Sequence, residues 1–170
     1  MATYMEDNQL SRYNLTSKVL VYGGATGGMV AGLTMAIVSM LMNAFAGAGF
    51  FAPVKLIAVT FLGPDAVDGG VFSILIGLVI HLFNSAILGI IFAYIAKNIH
   101  SRGAFMATGV LFGIVVWVVM TYLVLPVANE VMLNQVNQTP VRWFVNHIIF
   151  GLALSIVPYF ERRKATKAAF

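Results

Sequence analysis

Hydrophobic and polar positions in this chain fall into blocks. Residues 19–42, 71–96, 105–126 and 140–160 are almost continuously apolar, and the charged residues gather between them. About 20 residues at 1.5 Å each cross a hydrocarbon core of about 30 Å, so each block predicts a membrane-spanning helix. Lipid-facing strands would alternate in polarity, which these runs do not, and helices satisfy their own backbone groups in lipid. Within the blocks only Arg142 is charged, and in the first turn of its span it can snorkel to the surface. The expected fold is an all-α integral membrane four-helix bundle, one domain over 19–160.

The connections differ in kind. Residues 43–70 are mostly apolar, and Pro53 is placed to begin a short helix over 53–62. That helix is too short to cross and is expected to lie in the interface or dip partway into the membrane. Gly63-Pro64-Asp65 reads as a turn and Gly69-Gly70 as a hinge. Residues 127–139 are rich in Asn and Gln and read as a polar loop. Thr139-Pro140 then supplies an N-cap and a proline at the first helical position. Residues 1–18 form a polar segment without the apolar core and cleavage site of a signal peptide, so the first span is expected to be retained.

Composition agrees with this pattern: 60% of residues are hydrophobic and 9% charged, against about a quarter charged in soluble domains. Disorder, which needs low hydrophobicity, is excluded. The absence of cysteine excludes disulfides and thiolate chemistry. Of the ten basic residues, Arg12, Lys18, Lys97, Arg102, Arg162, Arg163, Lys164 and Lys167 fall on one side of the expected spans, and Lys55 and Arg142 on the other. The positive-inside rule then makes 1–18 and the basic tail 161–170 cytoplasmic, with the chain a multi-pass protein of the plasma (inner) membrane. The net charge of +4 is spread over three short topological anchors, so no nucleic acid is expected as partner.

The two halves look related. Gly28/Gly32 and Gly109/Gly113 pair in the first helix of each half, and His81-xxx-Ser85-xxx-Gly89 matches His147-xxx-Gly151-xxx-Ser155 in the second. His81 precedes Lys97, and His147 precedes Arg163, by the same length of helix, about 24 Å. Two pseudo-symmetric transmembrane hairpins about an axis along the membrane normal are expected. Gly24, Gly28, Gly32, Gly77, Gly89, Gly109, Gly113 and Gly151 are read as helix-packing positions, since small residues let backbones approach in lipid. The competing reading is that these glycines make room for a flat cofactor.

An ionisable residue inside a span is costly there and marks a candidate site. His81, His147, Asn84, Asn146 and Ser85 form that candidate intramembrane polar site. Three readings are open: the histidines hydrogen-bond across helices, or they belong to a polar path, or they ligate haem b iron across the axis. The first is expected, which leaves no cofactor and no metal site. His100 is expected to be solvated. Asp65, Asp68 and Glu130 read as solvated loop acids, and Trp143, Phe144, Phe50 and Phe51 suit an aromatic belt. No nucleophile elbow, phosphate loop or dinucleotide fingerprint is present, so no enzyme is expected.

The runs His81-Leu-Phe-Asn-Ser-Ala-Ile-Leu-Gly, Gly109-xxx-Gly113-xxx-Trp117 through Leu125-Pro126, and His147-xxx-Gly151 resemble a group of small four-helix bacterial inner-membrane proteins of unknown function. The resemblance implies a topology and no activity. The expected function is a non-catalytic accessory or assembly subunit of a larger membrane complex, energy-transducing complexes included. Its partners would be the bilayer and other membrane subunits or a second copy. A small transporter or channel using His81 and His147 is the alternative.

Overall fold

The computed structural model describes residues 2–99 and 101–168, with side chains over 17–155 apart from 19 and 100. The expectation for His100 lies outside the described residues, as do the side chains of Arg12, Arg162, Arg163, Lys164 and Lys167. Seven α-helices follow in order: α1 (Ala2–Phe45), α2 (Ala52–Leu62), α3 (Val71–Ala96), α4 (Arg102–Val119), α5 (Leu125–Ala128), α6 (Glu130–Gln138) and α7 (Pro140–Ala168). No strand occurs among the described residues. Among the described residues three stretches are long and apolar enough to cross a membrane: Leu20–Phe45, Val71–Ala96 and Arg102–Ala128. The fourth expected span, 140–160, lies on α7, and the side chains of 156–160 are outside the described set.

Glycines bring the long helices together in two pairs. A Cβ on Gly28 would run into the Ser85 carbonyl, and one on Gly32 into the Ser85 side chain, so α1 lies directly on α3. A Cβ on Gly109 would strike the Gly151 carbonyl, and one on Gly113 the His147 carbonyl, so α4 lies directly on α7. The obstructing atoms are mostly backbone, which cannot rotate aside. Between the pairs α1 packs on α7, while α3 and α4 barely meet. All four long helices contribute to one buried cluster, Ala31, Phe92, Ala96, Phe105, Phe150 and Leu154. Phe92 and Phe105 meet edge to face at 5.4 Å within it, the arrangement favoured by the ring quadrupoles.

Short elements build the opposite end. Proline at the start of α2 fits the first helical turn, where its missing N–H is not needed. α2 folds back onto α3 so closely that Gly77 lies against the Val54 carbonyl. Gly63 ends α2 at φ 80°, which an L side chain rarely adopts, and a 3₁₀ turn over Pro64–Val67 leads towards α3. Pro126 has no N–H to give the carbonyl four residues back. The helix widens just before it into a π turn over Met120–Val124, with the Leu125 N–H reaching the Met120 carbonyl.

Residues 127–139 are not the polar loop expected. Asn129 caps a real helix there, its Oδ1 accepting from the Met132 N–H at 2.9 Å. Val131, Met132, Leu133 and Val136 pack with Leu56, Leu125 and Trp143, while Glu130, Asn134, Gln135, Asn137 and Gln138 stay exposed. The Asn/Gln content is one face of an amphipathic helix. Thr139 is corrected too: its hydroxyl donates to the Gln135 carbonyl at the end of α6 (3.1 Å). Its backbone carbonyl, not its side chain, accepts from Arg142 N–H in the first turn of α7.

Candidate functional site

Above the buried cluster the helices diverge around a cavity of about 330 Å³. α3 brings His81, Asn84 and Ser85 to its wall, α7 brings Trp143, His147 and Phe150, and α1 brings Ser39. α2 closes one side with Pro53, Val54 and Ile57, and the π turn adds Thr121. Among the described residues no lysine, arginine, aspartate or glutamate lines it. The wall is apolar with a few uncharged polar groups, which is the usual make-up of a small-molecule pocket.

Four of the five candidate polar residues, His81, Asn84, Ser85 and His147, border this one cavity. The hydrogen bonds of His81, Ser85 and His147 go to backbone. His81 donates its Nε2–H to the Gly32 carbonyl on α1 at 2.9 Å, bridging the first helix pair. His147 donates Nδ1–H to the Trp143 carbonyl one turn earlier on its own helix, at 2.8 Å. Ser85 likewise turns its hydroxyl onto the His81 carbonyl (2.7 Å). A carbonyl only accepts, so each of these ring nitrogens carries the proton. Nδ1 of His81 and Nε2 of His147 have no hydrogen-bond partner among the described residues, and neither is sealed off by packing.

Asn146 stands apart. It is 1% exposed, does not border the cavity, and its Oδ1 has no partner. Trp117 Nε1 is similarly unpartnered, although the ring is held edge-on by Phe144 at 5.1 Å and Tyr122 at 5.9 Å. Trp143, expected in an aromatic belt, is buried under α6. Among the described residues no three His, Asp or Glu side chains gather to hold a metal, Asp65, Asp68 and Glu130 included.

Two polar anchors were not singled out from the sequence. Asn129 is 4% exposed and donates through Nδ2 to the Leu56 carbonyl (2.8 Å) and Thr60 Oγ1 (2.9 Å), tying α6 to α2. Asn43 accepts from Arg142 at 3.3 Å while donating to the Ser39 carbonyl at 2.8 Å, which joins α1 to the start of α7. The one available signal for Asn129 was an Asn immediately before Glu130 and a spaced apolar set. Asn43 carried none.

No curated protein and no solved structure matches the chain. Residues 19–168 match the model of a family of unknown function, DUF6789, and with nearly its whole length covered the chain belongs to that family.

Proposed function

We propose that this protein is a non-catalytic, four-span protein of the inner membrane with both termini cytoplasmic, serving as an accessory or assembly subunit of a larger membrane complex. The carrying observation is where its interior polar groups go. His81, Ser85 and His147 each direct a proton onto a backbone carbonyl, His81 across to α1 and the other two within their own helices, so they do not form an acid–base or nucleophile pair. The matched contacts of Gly28 and Gly109, and of Gly32 and Gly113, support two pseudo-symmetric hairpins.

A transporter or channel reading draws on the cavity that both histidines border. Against it stands the cluster of Phe92, Phe105, Phe150 and Leu154, each at most 2% exposed, which closes the bundle below that cavity. The haem reading meets two obstacles. The small residues beside the histidines are used in helix contacts, which leaves no slot for a flat macrocycle. A cavity of about 150 Å³ takes one benzene, so 330 Å³ is small for a four-pyrrole ring with its substituents. The reading is therefore a protein with no resident cofactor or metal.

Purification of the tagged protein in mild detergent, with mass spectrometry of what accompanies it, tests the role. A stoichiometric membrane companion is expected, and a clean homo-oligomer alone would favour transport. Orientation is tested separately in this cysteine-free chain. Ser101→Cys and Gln135→Cys, both at exposed positions, should label from opposite sides, Gln135→Cys from outside. Equal labelling of both from outside would overturn the assignment.

A further inference from the structure

The cavity has two histidines on its border, an otherwise largely apolar wall and a side opening, and together these specify a ligand. A neutral imidazole carries one proton. With His81 Nε2–H and His147 Nδ1–H donated to carbonyls, His81 Nδ1 and His147 Nε2 each present a lone pair. Both residues border the cavity and neither nitrogen has a partner. Such groups bind hydroxyl donors, and with no lysine or arginine in the wall there is nothing to hold an anionic headgroup.

The wall also selects. Phe61, Phe83, Trp143 and Phe150 border the space, and aromatic edges and faces favour another ring. About twice the volume that takes one benzene holds a substituted single ring and the start of a chain. Phe61, Phe83, Ile87 and Val124 line the cavity and are also exposed on the outer surface, so it opens sideways where α3 and α4 diverge. On the membrane-spanning reading, that opening faces lipid.

We propose that this cavity binds a lipid-soluble hydroxylated aromatic molecule, a phenol or hydroquinone with an apolar tail, which enters from the bilayer between α3 and α4 and donates its hydroxyl to His81 or His147. The binding step involves no covalent or electron transfer. The tail remains in the opening beside Phe83 and Ile87, where it stays in contact with lipid.

The experiment uses the full chain in lipid nanodiscs as Trp117→Phe, which leaves Trp143 in the cavity wall as the single tryptophan. Trp117 Nε1 has no hydrogen bond to lose, so the change is mild. The probes are a ring-brominated 4-alkylphenol, its O-methyl ether and the corresponding 4-alkylbenzoate, and bromine quenching of Trp143 is read. The phenol should quench saturably, with half-saturation about tenfold below that of the ether, the size of one well-made hydrogen bond. The benzoate should bind no better than the ether. His81→Phe with His147→Phe should erase the phenol's advantage. Equal quenching by phenol and ether, unsaturable quenching that tracks simple partition into lipid, or tighter binding of the benzoate would each overturn the proposal. The phenol–ether comparison alters only the ligand, so it decides the matter even if the histidine variants do not fold. The proposal rests on the membrane-spanning reading, and cysteine labelling separates the two. Correct sidedness without phenol selectivity defeats the site alone, whereas wrong sidedness defeats the topology and leaves a selective cavity standing.

Discussion

The pair α1/α3 and the pair α4/α7 are built on one device and finished differently. In both, glycines four residues apart on the first helix meet a small-residue stripe on the second, and the backbones touch. In α1/α3 the histidine reaches across that contact to Gly32. In α4/α7 the histidine turns back onto Trp143 of its own helix, and Trp117 Nε1 and Asn146 Oδ1 are left unpartnered. The first pair is thus cross-braced by a side chain, while the second relies on shape alone. Small-residue spacing dictates how near two helices come. Which partner a polar side chain then finds depends on what the rest of the bundle places in reach.

The largest effects should come from the shared device. Gly28→Leu and Gly113→Leu drive carbon into backbone of α3 and α7 that cannot rotate away, so each should cost upwards of about 3 kcal/mol, beyond ordinary overpacking. Gly103→Leu, with nothing within 4 Å of its would-be Cβ, should cost almost nothing. Detergent-titration unfolding followed by tryptophan fluorescence would measure all three. Toleration of Leu at one of the two interfaces would show that the pairs do not share the device.

A smaller effect belongs to the lid that α2 and α6 make over the cavity. Asn129→Ala removes the α6 cap and both bonds to α2, for about 2 kcal/mol, towards the low end of what one cap and two neutral hydrogen bonds contribute together. Backbone amides of Glu130–Gln138 should exchange faster while those of α1 and α3 do not change. Uniform acceleration across the chain would mean that the lid is no separate unit.

The same contrast explains what the sequence disclosed. Long apolar blocks and Gly-xxx-Gly spacing are local signals, and so the long helices, the short helix begun by Pro53 and the start of α7 at Pro140 were legible. α6 was not, because nine residues with four apolar positions among Asn and Gln resemble a loop until Leu56 and Trp143 are brought underneath them. The π turn is traceable to Pro126, yet a proline alone could equally have ended the helix. His81, Asn84, Ser85 and His147 were found by the rarity of polar groups in apolar blocks. Asn146 satisfied the same rule and lies outside the cavity, since neighbouring positions on a helix face different ways.

The smallest effect is the one that tests the difference between the pairs most directly. His81→Phe removes a hydrogen bond between two helices, and such bonds in membrane bundles average about 0.6 kcal/mol and reach about 1.7. Gly32 lies inside α1, so its carbonyl keeps its helical partner and no buried orphan is created; about 1 kcal/mol is expected. His147→Phe removes a bond within one helix turn, made to a carbonyl that is also part of the α7 ladder, and no interhelical link is lost. Its cost should stay within about 0.5 kcal/mol, the range of changes that break no named interaction. Both substitutions keep an aromatic ring of similar bulk, so packing is nearly constant and the difference isolates the cross-brace. Measured by the same detergent titration, His81→Phe should be the more damaging of the two. The reverse order would mean that His147 carries an interhelical load its bond to Trp143 does not account for, and the division into a braced and an unbraced pair would fail.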